Sequence, residues 1–133
     1  MMANYIERIC SIAAAAILLQ TLYFKFTGAP ESVFIFEKLG MEPYGRIGTG
    51  IAELIISILL LRKSTSLLGG LLGIGVITGA IVSHLFILGI EVQDDGGLLF
   101  ALAVLVFLFL GITIILQKKK LVAFIHKMTT LKP

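Results

Sequence analysis

Glu53 and His84 are ionisable side chains inside stretches that are otherwise apolar enough to cross a bilayer, residues 47–61 and 67–88. A carboxylate or imidazole in hydrocarbon costs on the order of 3 kcal/mol unless it is neutralised, paired or turned toward a wet cavity, so such residues mark a functional site by default. Arg46 precedes Glu53 by two helical turns, about 10 Å along a helix axis and on nearly the same face, with Thr49 and Gly50 between them. An earlier apolar stretch brings Gln20, Thr21 and Tyr23 to similar depth, with Lys25 at its mouth. The candidate ligand-binding set is therefore Glu53, His84, Gln20, Arg46, Lys25, Tyr23 and Thr49. Such a set suits a lipid-soluble head group: quinone carbonyls need donors, and quinol oxidation needs a proton acceptor. His84 could donate or accept, Glu53 could take the proton, and Arg46 or Gln20 could fix the second oxygen. The structural alternative is a protonated Glu53 bonded to Gln20 or His84, pinning two helices together. For Arg46 and Lys25 the alternative is snorkelling to lipid headgroups.

The elements that must position these groups are membrane helices. The 133 residues are 58% hydrophobic and 14% charged, far from the soluble average, and the apolar residues come in long blocks. Four blocks approach the roughly 20 residues that span ~30 Å of hydrocarbon: 9–26, 45–62, 67–90 and 97–116. The expected fold is all-α, an integral membrane four-helix bundle in a single domain. The first block runs past signal-peptide length into Gln20, Tyr23 and Lys25, so it is read as a retained span. Between spans one and two, Pro30 can open a helix and Gly40 can close one, which predicts a short interfacial helix over 30–39. Val33, Phe34, Ile35, Phe36 and Leu39 suit either a helix lying in the interface or a lid over the bundle. Asp94 or Asp95 can cap the fourth span. That span, with Thr113 as its one polar side chain, reads as a lipid-facing or scaffold helix. Residues 117–133 form a basic amphipathic tail whose Leu121, Phe124, Ile125 and Met128 share one face, as in a helix lying on an anionic leaflet.

Gly69 with Gly73, and Gly75 with Gly79, repeat the four-residue spacing of close helix contact in lipid, and Gly50 permits a close neighbour in span two. All five are read as packing positions without a ligand role. Lys and Arg at the span ends divide into Arg8, Arg62, Lys63, Lys118, Lys119, Lys120, Lys127 and Lys132 on one side, and Lys25, Lys38 and Arg46 on the other. That bias puts both termini in the cytoplasm and the polar candidates in the outer leaflet. The net charge of +3 thus reflects orientation, not nucleic-acid binding. A single cysteine, Cys10, excludes paired-thiol redox chemistry. Flavin or nucleotide fingerprints, iron–sulfur cysteines and a transmembrane pair of haem ligands are absent, since His126 lies beyond span four, far from His84. No metal site is expected.

Over residues 9–116 the chain resembles the DoxX-like family of small four-span bacterial membrane proteins. The resemblance rests on Lys25, Phe26, Gly28 and Pro30 closing span one, then Phe36, Gly40 and Pro43, the Gly50, Glu53, Leu54 run in span two, and His84 in span three. It implies a place in the bacterial cytoplasmic membrane and association with respiratory or redox complexes, some members being linked to quinone chemistry. The carry-over by residue reaches Lys25, Glu53 and His84. The expected function is a redox-associated membrane subunit binding a quinone-like ligand, with a membrane oxidoreductase or a homo-oligomer as partner. The alternatives are a non-enzymatic small-molecule carrier or lipid-binding protein, and a structural subunit of a larger complex.

Overall fold

The computed structural model describes residues 1–131, so Lys132 and the end of the predicted tail lie outside the described residues. The described chain is all-helical, and four of its helical segments are long and apolar enough to cross a membrane, the make-up of a multi-pass membrane protein. Helix α1 covers Met2–Thr27 and α2 covers Pro30–Lys38, with the proline in its first turn. Helix α3 spans Tyr44–Leu61, and a tight 3-10 turn at Lys63–Thr65 leads into α4, Ser66–Ser83. Helix α4 continues into a wider π-turn at His84–Leu88. Helix α5 spans Leu98–Leu116, and α6, Lys118–Thr130, follows it.

Helix α1 starts well before the apolar block that announced it, so Glu7 and Arg8 belong to the helix. It ends where Gly28 adopts a left-handed conformation (φ 67°) and turns the chain into α2. The main contacts run α1 to α3, α3 to α4, α4 to α5 and α5 back to α1, a closed ring of four helices. The core on its axis comprises Ala14, Ala15, Leu18, Ile56, Leu60, Ile77, Ala103, Val106 and Leu110. Because lipid is as apolar as these side chains, close packing and polar contacts between helices are what specify the ring. Helix α5 therefore has an inner face, Ala103, Val106, Leu110 and Thr113, which fits the scaffold reading of its sequence and not the lipid-facing one. Helix α6 buries no residue.

Candidate functional site

At the Lys25 end of the bundle the four long helices part around a cavity of about 910 Å³, with α2 across it. Its walls are mostly apolar: Ile17, Leu18, Phe36, Ile77, Leu88, Leu102 and Val106 among them. Of the residues singled out in the sequence, Gln20, Lys25, Thr49, Glu53 and His84 line it together.

Glu53 is 6% exposed, and its carboxylate is held by Lys25 of α1, Nζ to Oε2 3.0 Å. Thr21 sits between them: Lys25 Nζ donates to Thr21 Oγ1 at 3.3 Å, and the Thr21 hydroxyl lies 3.4 Å from Glu53 Oε2 while bonding the Leu18 carbonyl at 2.8 Å. Lys25 thus turns inward, not out to headgroups. Glu53 has this cation as its partner instead of Gln20 or His84. A buried pair of this kind holds each charge in place, and removing one partner strands the other, a loss of about 3 to 5 kcal/mol.

Arg46 does not line the cavity. Its Nε bonds both oxygens of Glu42, at 2.9 and 3.0 Å, and its Nη1 donates to the Lys25 carbonyl. At 9% exposed it is neither snorkelling nor available as a ligand group. It ties the α2–α3 connection to the end of α1, directly behind Lys25. Tyr23 is a second departure: it is 69% exposed, packs edge-on against Phe24, and is not a cavity wall.

His84 lines the same hollow from the end of α4, the helix next to that of Glu53 in the ring. It opens the π-turn, where an extra residue per turn redirects a side chain, a feature often found at functional sites. Its Nδ1 lies 3.0 Å from the Gly89 carbonyl. A carbonyl only accepts, so Nδ1 carries the proton, and in the neutral ring Nε2 remains the acceptor. Phe100 packs edge-on against the ring at 5.6 Å. The loop after the π-turn is organised by Asp95, which accepts from the backbone N–H groups of Val92, Gly97 and Leu99 at 3.0, 2.8 and 3.1 Å, and so caps α5. Desolvation works to raise the Asp95 pKa, but those three backbone bonds, with a smaller contribution from the nearby His84 imidazole, outweigh it and hold the carboxyl below its ordinary value.

The five glycines read as packing positions divide into two kinds. A Cβ on Gly69 would come 2.9 Å from the Leu60 backbone nitrogen, on Gly73 2.8 Å from Leu110 Cδ1, and on Gly50 2.8 Å from the Phe26 ring. Those are close approaches. A Cβ on Gly75 or Gly79 would meet nothing within 4 Å, and both are cavity walls. The packing role read from their spacing is corrected: both lie on a flank of α4 well round from the core-facing Gly73, where no neighbour meets them.

A polar cluster at the opposite end has no counterpart in the sequence reading. Glu7, 6% exposed, accepts from the Ser11 hydroxyl at 2.7 Å and from Gln117 Nε2 at 3.2 Å. Gln117 also reaches Ser66 Oγ at 3.2 Å, and Ser11 meets Thr113 Oγ1 at 3.3 Å. Three helices and the α5–α6 junction are thereby joined. The signal was available as polar pairs at four-residue spacing, Glu7 with Ser11 and Thr113 with Gln117, which share a face on their helices. Among the described residues no group of three or more His, Cys, Asp or Glu is placed to hold a metal ion.

No protein-family model matches the chain, and neither the curated proteins nor the solved structures contain a match to it.

Proposed function

We propose that this protein is a membrane subunit that binds a lipid-soluble molecule with a polar head, of the quinone and quinol class, in the cavity at the Lys25 end. The observation that carries the reading is the coexistence, around one apolar hollow of about 910 Å³, of an anchored Lys25–Glu53 pair and a histidine with a free acceptor nitrogen. Small-molecule sites are commonly 300 to 1,000 Å³, apolar, with a few convergent polar groups. A head-group carbonyl would accept from Lys25 or Thr49, and a hydroxyl would donate to Nε2 of His84. Electrons must pass to or from a carrier on a partner, because this chain offers groups for binding and protons alone. A membrane oxidoreductase fills that role, in keeping with the resemblance to DoxX-like proteins carried by Lys25, Glu53 and His84.

In the same reading the chain lies in the bacterial cytoplasmic membrane with both termini in the cytoplasm, since basic residues gather at the Arg8 end. The cavity then opens in the outer leaflet. Transport through the bundle is disfavoured by the closed core between the two ends, where Ala14, Leu60 and Leu110 are fully buried.

Mass spectrometry of small molecules extracted from the detergent-purified protein tests the proposal. An isoprenoid quinone retained by the wild type in near-stoichiometric amount, and lost from Glu53→Gln, is the expected result. A wild type that retains no quinone, and takes none up when it is added, would refute it.

A further inference from the structure

Helices α3 and α4 form an antiparallel hairpin that is tight at one end and parted at the other. Near the turn the Gly69 Cα lies against the Leu60 backbone, and Gly73 lies against Ile56 and Leu110. Further along, Gly48 of α3 and Gly79 of α4 are nearly equidistant in sequence from the Lys63–Thr65 turn, so an antiparallel pair carries them to about the same level. A Cβ on Gly48, Gly75 or Gly79 would have no heavy atom within 4 Å, and Gly75 and Gly79 lie about 160° and 120° around α4 from the core-facing Gly73, on its outward flank. All three are exposed, and all three border the cavity. The hollow is therefore continuous with the lipid-facing side of the bundle through a slit whose edges lack side chains.

We infer that this slit is a lateral portal and tail subsite: the ligand enters from the bilayer between α3 and α4, and its hydrocarbon tail lies across Gly48, Gly75 and Gly79 while its head sits between Lys25–Glu53 and His84. This deepens the binding function proposed above and rests on it for the head group. It narrows the ligand to an amphiphile with a long hydrocarbon or isoprenoid tail. A flat ring or a slender hydrocarbon chain passes an edge of bare backbone that a leucine at any of the three positions would obstruct. Leucines there have open space, so they block the slit without displacing protein atoms.

The test uses full-length protein in nanodiscs containing a phospholipid with a photoactivatable diazirine in its acyl chain, comparing wild type, Gly48→Leu, Gly79→Leu and Gly111→Leu. Gly111 also has nothing within 4 Å of an added Cβ but does not line the cavity. Mapped by peptide mass spectrometry, the acyl probe is expected to label Leu18 and Val106, deep walls of the cavity that are 5% and 1% exposed, in wild type and Gly111→Leu. Labelling of both should fall at least tenfold in Gly48→Leu and Gly79→Leu. In parallel, those two variants should bind a long-tailed quinone at least tenfold more weakly while binding a tail-less quinone within twofold of wild type. Deep labelling that is absent from wild type, or unchanged in both slit variants, would overturn the portal even if quinone binds. Deep labelling that disappears in the slit variants upholds the portal even if no quinone binds, in which case the quinone assignment alone fails.

Discussion

Two buried carboxylates stand at opposite ends of this bundle, each 6% exposed, and their surroundings differ in kind. Glu53 is paired with a cation, Lys25, and borders a large hollow. Glu7 forms no ion pair among the described residues. It is held by a hydroxyl and a side-chain amide, Ser11 and Gln117, whose other partners, Thr113 and Ser66, are fully buried. One arrangement keeps a charge beside open space; the other closes a knot of hydrogen bonds between helices. What separates the two acidic residues is the size of the hollow each borders, about 910 Å³ at Glu53 against about 360 Å³ at Glu7, and the cation paired with Glu53.

The largest expected effect comes from the ion pair. Lys25→Met and Glu53→Gln should each destabilise the protein by about 3 to 5 kcal/mol, measured by thermal or denaturant unfolding in detergent. The double variant should recover most of that loss, since replacing both charges by uncharged groups is often neutral. Recovery that fails in the double variant would mean that the two residues act separately.

Next come the glycines. Gly73→Leu drives atoms into Leu110 and Ile56, and should lower stability by at least the ~1 to 3 kcal/mol of overpacking. Gly79→Leu, six residues beyond Gly73, should change stability by less than about 0.5 kcal/mol. Equal losses would show that Gly79 is packed as tightly as Gly73, contrary to the open space beside it.

At the other end, Glu7→Ala leaves Ser11 and Gln117 short of an acceptor and should lower stability by about 1 to 3 kcal/mol, whereas Glu7→Gln retains an acceptor oxygen and should be milder. Neither should alter ligand binding, measured with the same quinone at the Lys25 end. A tenfold loss of binding in Glu7→Gln would mean that the two ends are coupled.

The smallest effect concerns the α5 cap. The Asp95 pKa is lower in the folded than in the unfolded state. Its stabilisation is therefore present above the unfolded value, ~3.9, and is lost as pH falls through the folded value. Asp95→Ala should lower stability by about 1 kcal/mol near neutral pH, and the gap between wild type and variant should narrow as pH drops below about 4. A gap that is constant with pH would show that the carboxylate charge contributes nothing to the cap.

The fold was legible because hydrocarbon leaves a segment few choices: each apolar block long enough to span had to be a helix, and Pro30 and Gly28 punctuate the connection in the expected places. The membership of the hollow was partly legible, since Glu53, His84, Gln20, Thr49 and Lys25 could be brought to one depth by counting helical rise. The partner of Glu53 was not, because depth does not say which way a long lysine side chain turns. Arg46 shows the same limit: its position relative to Glu53 suggested a shared pocket, but Glu42, one helical turn earlier, claimed it. Gly75 and Gly79 misled because a four-residue spacing of small residues serves equally for contact and for the edge of a gap. Glu7 was passed over because the apolar block began after it, although the helix did not.

Equilibrium binding of a long-tailed quinone to the purified Lys25→Met/Glu53→Gln double variant tests the central claim most directly, because restored folding separates the role in binding from the role in stability. The account predicts a thermal unfolding temperature near that of wild type together with binding at least tenfold weaker. Binding equal to wild type in a well-folded double variant would contradict it, and would make the ion pair a helix tie like the cluster around Glu7.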